Sequence, residues 1–175
     1  MIVAMNRKQI EDRERRNVAV HEAGHLAILK RFGGQGQAAI WPNESVSEDE
    51  RSWLGNCAIH IEPGSTEAKA IRALRAKQGL TAPAEDDTTD WKFYVGLAGE
   101  AATCMIEAEC NEDAVYDIID TFDEPQYVSA SDMEWIGSAE AVTLTVAERM
   151  VAMLREEWTS VTEEAKRLVE YWVDE

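Results

Sequence analysis

Two histidines one helical turn apart constrain this chain more than any other feature of its sequence. His21 and His25 enclose Glu-Ala-Gly, giving H-E-A-G-H, inside a tract of helix-forming residues at 7–32 that two glycines follow. Glycine commonly ends a helix, because it adopts positive φ without steric cost. Side chains at positions i and i+4 lie on the same helix face, so both imidazoles can reach one metal ion. The pattern therefore predicts a metal site on the first helix.

The residue types of this motif also indicate which metal and which chemistry. The whole chain has three histidines, and two of them occupy this spacing. Imidazole suits zinc, and a catalytic zinc site keeps one position for water. Glu22 lies beside the first histidine, where it can take a proton from the zinc-bound water and deliver it to a leaving amine. We therefore predict a zinc-dependent hydrolytic centre with Glu22 as the catalytic base.

A catalytic zinc ion needs a third protein ligand, which the motif does not supply. Ile28 and Arg31 stand where the longer pattern H-E-x-x-H-x-x-G-x-x-H requires Gly and His, so the metzincin arrangement is excluded. Three more distant residues are candidates. His60 lies in a strand pattern, Glu100 lies in a helix rich in small residues, and Asp132 lies near the start of a capped helix. The residues by themselves leave these three candidates open.

Hydrophobic periodicity and turn signals predict a mainly α fold of the α+β class with a small flanking sheet. Two or three short strands are expected within residues 35–63. Four further helices are predicted: from Ser65 or Thr66 to Lys77, from Trp91 to Ala108, a long helix from the Ser131-x-x-Glu134 capping box to about Leu154, and a last helix from Ser160 to near Trp172. Residues 1–175 are expected to form one domain, with a loop or linker around 81–90.

The charge of the chain argues against several classes of partner. Its formal net charge is −17, and residues 81–175 carry 24 acidic but only 5 basic side chains. Nucleic acids are bound largely through Lys and Arg, so a polyanion is a poor partner. Anionic membrane surfaces are disfavoured for the same reason, and no apolar run reaches the roughly 18 residues of a membrane-spanning helix. We expect neither nucleic acid nor membrane as a partner.

Cysteine usage indicates a reducing compartment. The chain has three cysteines, Cys57, Cys104 and Cys110, and none of them forms a C-x-x-C motif. Three cysteines cannot all pair within one chain, and free thiols are typical of reducing compartments. The expected location is the cytoplasm.

Several segments together resemble a known family. The stretch R-N-V-A-V-H-E-A-G-H at 16–25 resembles the zinc-binding helix of the FtsH-type zinc metalloproteases, the M41 peptidase family. In the same order along the chain, W-L-G at 53–55 resembles a strand near that family's active site, and L-A-G-E-A-A at 97–102 resembles its L-G-G-R-A-A helix. A-S-D-M at 130–133 resembles its S-N-D-L, and A-E-R-M-V at 147–151 its A-R-x-M-V. The resemblance extends over residues 9–155.

This resemblance implies a helical, zincin-like peptidase domain and assigns roles to residues. His21, His25 and Asp132 fall on the family's zinc ligands, and Glu22 falls on its catalytic base. An extended substrate backbone is expected to pair with the second strand by β-augmentation. The residues of this substrate-binding stretch are Leu54, Gly55, Asn56, Cys57 and Ala58.

The chain also departs from the family pattern. Ala98 replaces a glycine, Glu100 replaces an arginine, and Thr103 stands where the family has a glutamate. No G-x-x-x-x-G-K-[ST] nucleotide loop occurs in the sequence. The expectation is therefore a stand-alone, ATP-independent zinc endopeptidase acting on peptides or unfolded segments. The alternative is a catalytically inactive metal-binding or protein-interaction module on the same fold. A homo-oligomer and a separate unfoldase acting in trans are left open as partners.

Overall fold

A computed structural model of the chain describes residues 5–44, 51–80 and 90–171. In these ranges it contains seven α-helices and two strands: α1 (Arg7–Arg31), β1 (Gln35–Pro42), β2 (Trp53–Ile61), α2 (Thr66–Lys77), α3 (Trp91–Glu107), α4 (Asn111–Asp123), α5 (Ala130–Ile136), α6 (Leu144–Glu156) and α7 (Trp158–Tyr171). The predicted mainly α class with a small sheet is confirmed. The predicted loop or linker at 81–90 lies outside the described residues, apart from Asp90.

Helix α1 is the central element of the fold. It begins at a capping box in which the Asn6 side chain accepts from the Gln9 backbone N–H, while the Gln9 side chain accepts from the Asn6 N–H. Its second half is almost entirely buried and packs against α3, α7 and both strands. The helix ends at Arg31, and Gly33 follows with a φ of +88°, as predicted. This turn directs the chain into β1.

Helices α1 and α3 approach each other closely because both carry small residues at their contact. A Cβ atom on Gly24 would lie 2.7 Å from the Ala102 Cβ and 2.7 Å from the Ala98 carbonyl oxygen. Ala98 and Ala102 are themselves completely buried. A larger residue at any of these positions would separate the two helices, and the close contact brings the backbone of α3 against the histidines of α1.

Strands β1 and β2 form an antiparallel pair that covers one side of α1. Trp41 is paired with Leu54 and Gly36 with Ile59, with one irregularity in register near Gln35. Two residues of β1, Ala38 and Ile40, are buried against the core. In the described part of the chain, β2 pairs with β1 alone, so its second edge has no strand partner.

The predicted long helix from Ser131 to Leu154 is wrong, because the chain breaks at Gly137. Helix α5 ends at Ile136, and Gly137 has a φ of +82°, a conformation that costs other residues steric energy. A short 3₁₀ turn at 139–141 follows, and Thr143 caps the start of α6. The predicted N-cap was also wrong. The side chain of Ser129, not of Ser131, caps α5 by accepting a hydrogen bond from the backbone N–H of Asp132. The apolar residues keep a helical spacing across the break because α5 and α6 both turn an apolar face to the same core.

Two other boundaries differ from expectation. The acidic segment near 111–123, for which no element was predicted, is helix α4, with Ala114, Val115, Ile118 and Phe122 buried on one face. The last helix begins at Trp158, two residues before the predicted start at Ser160.

No helix in the described ranges is both long enough and apolar enough to cross a bilayer.

Candidate metal centre

Buried charge is concentrated at one place in this fold. Among the described residues the buried polar or charged side chains are Glu22, His25, Arg31 and Asp132. Arg31 is accounted for, because its guanidinium forms an ion pair with Glu156 at 2.7 Å. The other three meet in one cluster. Burying an ionisable group is costly unless the group is paired, hydrogen-bonded or bound to a metal ion. The contacts among these three side chains therefore have to account for their burial.

The cluster brings the two histidines of α1 to the carboxylate of α5. His21 Nε2 lies 3.1 Å from Asp132 Oδ2, and His25 Nε2 lies 3.3 Å from Asp132 Oδ1. The two Nε2 atoms are 3.0 Å apart. The structure thus places Asp132, rather than His60, beside both histidines, across more than a hundred residues of sequence. Within the described ranges, these three residues form a group whose ligand atoms lie close enough together to hold one metal ion.

The donor atoms fit a zinc ion. Zinc binds imidazole nitrogen and carboxylate oxygen at about 2.0–2.2 Å, which places neighbouring ligands of a tetrahedral ion roughly 3.3 Å apart. The three separations above, 3.0 to 3.3 Å, are close to that value, with Asp132 presenting a different carboxylate oxygen to each histidine. Space is also provided: a Cβ on Gly99 of α3 would lie 2.5 Å from His25 Nε2 and 2.6 Å from His21 Nε2. The absence of a side chain at Gly99 therefore leaves the faces of both ligand nitrogens open.

His25 is oriented by the backbone of α3. Its Nδ1 lies 2.6 Å from the Val95 carbonyl oxygen, which can only accept a hydrogen bond, so Nδ1 carries the proton. In the neutral ring Nε2 then presents a lone pair to the cluster, as a metal ligand must. A single backbone carbonyl thereby selects both the tautomer and the direction of this ring.

Electrostatics favour an ionised carboxylate at the centre of the cluster. Burial by itself would raise the pKa of Asp132, but hydrogen bonds from His21 and His25 outweigh burial, so the pKa lies well below its usual range. Burial would likewise lower the pKa of His25, but its hydrogen bond with Asp132 prevails and the pKa is raised. That hydrogen bond requires a proton on Nε2 as well, which a metal ion bound at this nitrogen would replace. The site thus holds a fixed negative charge that attracts positive charge.

Glu22 lies next to the cluster, between α1 and β2. Burial raises the pKa of its carboxyl group above the usual value, although the neighbouring His25 and His21 act in the opposite direction. A Cβ on Gly55 of β2 would lie 2.6 Å from both Glu22 Cγ and Oε1, so the strand backbone rests directly on this carboxylate. A carboxylate whose proton affinity is raised in this way is suited to general base and acid roles.

A cavity of about 430 Å³ opens over these residues. Its walls come from α1, β2, α3 and α5, and include Val18, His21, Glu22, His25, Trp53, Val95, Glu100, Asp132 and Trp135. Four of the five predicted substrate-binding residues, Leu54, Gly55, Asn56 and Cys57, line it. The fifth, Ala58, does not belong to the lining. The volume falls in the range typical of sites for small molecules or side chains.

The other two candidates for third ligand occupy different positions. His60 is exposed on β2 and does not line the cavity. Glu100 lines the cavity, but its Oε1 lies 3.8 Å from His21 Nδ1, the ring nitrogen that faces away from the cluster. Neither residue reaches the point where the two Nε2 atoms meet.

The cavity also contains a thiol, which we assign no chemical role. Burial raises the pKa of Cys57 to about 12, and the nearby Glu22 carboxylate acts in the same direction. A thiol with so high a pKa is a poor nucleophile and a poor metal ligand at neutral pH. Cys57 is therefore a small apolar residue in the wall.

Sequence reasoning missed two contributors to this site, the Val95 carbonyl and the space at Gly99, and it predicted Gly55 for substrate binding without its contact with Glu22. The Val95 carbonyl could not have been found, because a backbone group is not encoded by residue type. Gly55 and Gly99 lie within the W-L-G and L-A-G-E-A-A segments. A glycine in the middle of a strand or helix is itself a signal of close approach by another group.

Comparison with known families found no family model that matches this sequence, and comparison with curated proteins found no match.

Proposed function

We propose that this chain is a zinc-dependent metallopeptidase that hydrolyses peptide bonds without ATP. One observation carries the proposal: His21 Nε2, His25 Nε2 and the Asp132 carboxylate converge within 3.0–3.3 Å of one another beside the buried Glu22. Two nitrogens and one oxygen are the ligand types of a catalytic zinc ion with an open position. A purely structural site has no need of a neighbouring base.

In this proposal His21, His25 and Asp132 hold the metal, and Glu22 moves the proton. When bound, zinc supplies Lewis acidity toward the scissile carbonyl and lowers the pKa of a water molecule. A Glu22 carboxylate oxygen accepts a proton as that water attacks, and then donates it to the departing amine nitrogen. The raised pKa of Glu22 favours this role, because the group must both take and release a proton near neutral pH.

Strand β2 supplies the proposed substrate-binding surface. Residues 54–57 line the cavity, and the described part of the chain shows no strand paired with the second edge of β2. An extended peptide that added to that edge would lie close to Glu22, because Gly55 of β2 packs against the Glu22 side chain. Such pairing requires an extended backbone, so the substrates we propose are peptides and unfolded segments of proteins.

The proposed setting is the cytoplasm, with neither nucleic acid nor membrane as a partner. Cys57 and Cys104 are half-buried free thiols and Cys110 is an exposed one, which suits a reducing compartment. The net charge of −17 opposes binding to polyanions. A substrate site at the open edge of β2 is compatible with assembly into a homo-oligomer. It is also compatible with action alongside a separate unfoldase.

Metal content tests the ligand set. We would measure zinc by mass spectrometry in the wild type and in the His25→Ala and Asp132→Ala variants, all purified without affinity-tag metal. The expected result is about one zinc per wild-type chain, as a single site implies, and reduced zinc in both variants. His60→Ala is the matched control, since this exposed histidine should leave zinc content unchanged. A wild type that stays empty after zinc is supplied would contradict the proposal.

Peptide cleavage by Glu22→Gln tests the role of the base. The variant should retain zinc and lose activity on a peptide library by about 10²–10⁴-fold, the usual contribution of general acid–base catalysis. A zinc-loaded wild type that cleaves none of the peptides would instead favour the inactive metal-binding module.

A further inference from the structure

We propose that Glu100 is a positioning residue for His21, acting as the acceptor that fixes its ring in the zinc-binding orientation. The inference rests on the metal site proposed above and extends it. Glu100 lies on α3 and lines the same cavity, but its carboxylate faces the side of the His21 ring opposite to the ligand cluster.

The convergence of the two histidines determines where their protons must lie. Both Nε2 atoms point into the cluster, where they are 3.0 Å apart. A metal ligand must offer a lone pair, so in the neutral rings each proton must lie on Nδ1. Each Nδ1–H in turn needs an acceptor, because ligating histidines almost always donate from their second nitrogen.

The two rings meet this requirement differently. His25 donates from Nδ1 to the Val95 carbonyl at 2.6 Å, a neutral acceptor fixed in the helix backbone. For His21 Nδ1 the only described ion pair or hydrogen bond is with Glu100 Oε1, at 3.8 Å. The backbone of α3 thus serves one histidine, and a side chain one turn further along the same helix serves the other.

The surroundings of Glu100 suit this role. Its side chain is 14% exposed and that of His21 is 16% exposed, so a hydrogen bond between them is largely shielded from water. The described residues show no other ion pair for Glu100. Its separation from His21 exceeds a direct hydrogen bond by roughly 1 Å, since N⁺–H···O⁻ and N–H···O bonds measure about 2.7–3.2 Å. We expect rotation about the three side-chain torsions of Glu100 to close that gap.

Zinc affinity tests the inference directly. We would measure the zinc Kd of Glu100→Leu, which keeps the size of the side chain but removes the acceptor, and of Glu100→Gln, which keeps a neutral acceptor oxygen. The expected loss for Glu100→Leu is about 10–100-fold in affinity, with Glu100→Gln recovering part of it. Glu107→Gln and Glu107→Leu are matched controls that remove the same charge from the same helix outside the cavity, and both should bind zinc like the wild type.

A second readout separates positioning from a structural role. In zinc-loaded wild type, ¹⁵N NMR of the imidazoles should show the His21 proton on Nδ1 in a hydrogen bond, and in Glu100→Leu that bonded proton signal should be lost. Thermal unfolding without zinc should be nearly equal for the wild type and Glu100→Gln. Equal zinc Kd values for wild type and Glu100→Leu would overturn this inference alone, whereas a wild type that binds no zinc would overturn the proposed function.

Discussion

His25 is held from both sides of its ring. The Val95 carbonyl contacts Nδ1, and Asp132 Oδ1 lies 3.3 Å from Nε2. Asp132 is itself fixed, because its backbone N–H donates to the side chain of Ser129, the cap of α5. His25 and Asp132 are thus each supported by a group outside the ligand cluster, the Val95 carbonyl and the Ser129 side chain, and such supporting contacts commonly decide metal affinity.

Gly99→Ala should weaken zinc binding strongly. The new Cβ would lie 2.5 Å and 2.6 Å from the two ligand nitrogens, closer than any real contact, so the rings must rotate away. Overpacking of this kind also costs about 1–3 kcal/mol of stability. The zinc Kd and the free energy of unfolding without zinc are to be measured together. An unchanged Kd would show that the rings do not depend on the space at Gly99.

Gly55→Ala should have the opposite pattern, with zinc retained and peptide cleavage reduced. Its Cβ would displace the Glu22 carboxylate, because the three atoms nearest to it, Cγ and Oε1 at 2.6 Å and Cδ at 2.9 Å, all belong to Glu22. We expect a loss in kcat on the order of tenfold or more, since misplacing a catalytic group by about 1 Å can cost roughly 10²-fold. Gly99→Ala provides the contrast, and zinc loss in Gly55→Ala would contradict the assignment.

At the scale of elements, α1 is joined to α3 by a polar contact as well as by close packing. Glu107 near the end of α3 accepts from Arg13 at 2.7 Å, from Arg16 at 2.6 Å and from Asn17 at 2.8 Å. Hydrogen bonding from Arg13 is the main cause that lowers the pKa of Glu107. This contact fastens the polar first half of α1, which has little apolar surface to bury.

Glu107→Gln should lower the free energy of unfolding at pH 7 by about 0.2–1 kcal/mol, the range for partly exposed ion pairs. Because folding lowers the pKa of Glu107, its contribution is complete above the unfolded value of about 4.3 and is lost as the pH falls through the lower folded value. The difference between variant and wild type, measured by urea unfolding, should therefore shrink as the pH falls below that unfolded value. Glu148→Gln, which removes the same charge at an exposed site on α6, is the matched control.

Element boundaries show where sequence reasoning succeeded and where it failed. Helix α1 was predicted closely, since a long run of helix formers ended at Gly33, whose φ is +88°. The break at Gly137 was missed, because α5 and α6 both face the core and the apolar spacing persists across the break. A local pattern reports which face is buried, but not whether one helix or two provide it.

At the scale of the whole molecule, the site joins distant parts of the chain. His21 and His25 come from α1 and Asp132 from α5, with α3 packed against both helices. A metal that binds the folded state only should therefore stabilise the entire fold.

Zinc should raise the free energy of unfolding by about 2.7 kcal/mol when its free concentration is 100 times the Kd. Thermal unfolding of the wild type should shift upward with zinc and return with a chelator. His25→Ala should show no comparable shift, and a shift that persists in that variant would place the bound zinc elsewhere.

The sequence was sufficient for the helical class and for the placement of the H-E-A-G-H motif on α1, because both depend on spacings of a few residues. The residues by themselves left His60, Glu100 and Asp132 open as the third ligand, since distance along the chain says nothing of distance in space, and the family resemblance alone pointed to Asp132. Tertiary packing places Asp132 of α5 beside both histidines of α1, with α3 packed against the two helices. It also supplied the Val95 carbonyl and the space at Gly99, because backbone groups and missing side chains act only when another element lies against them.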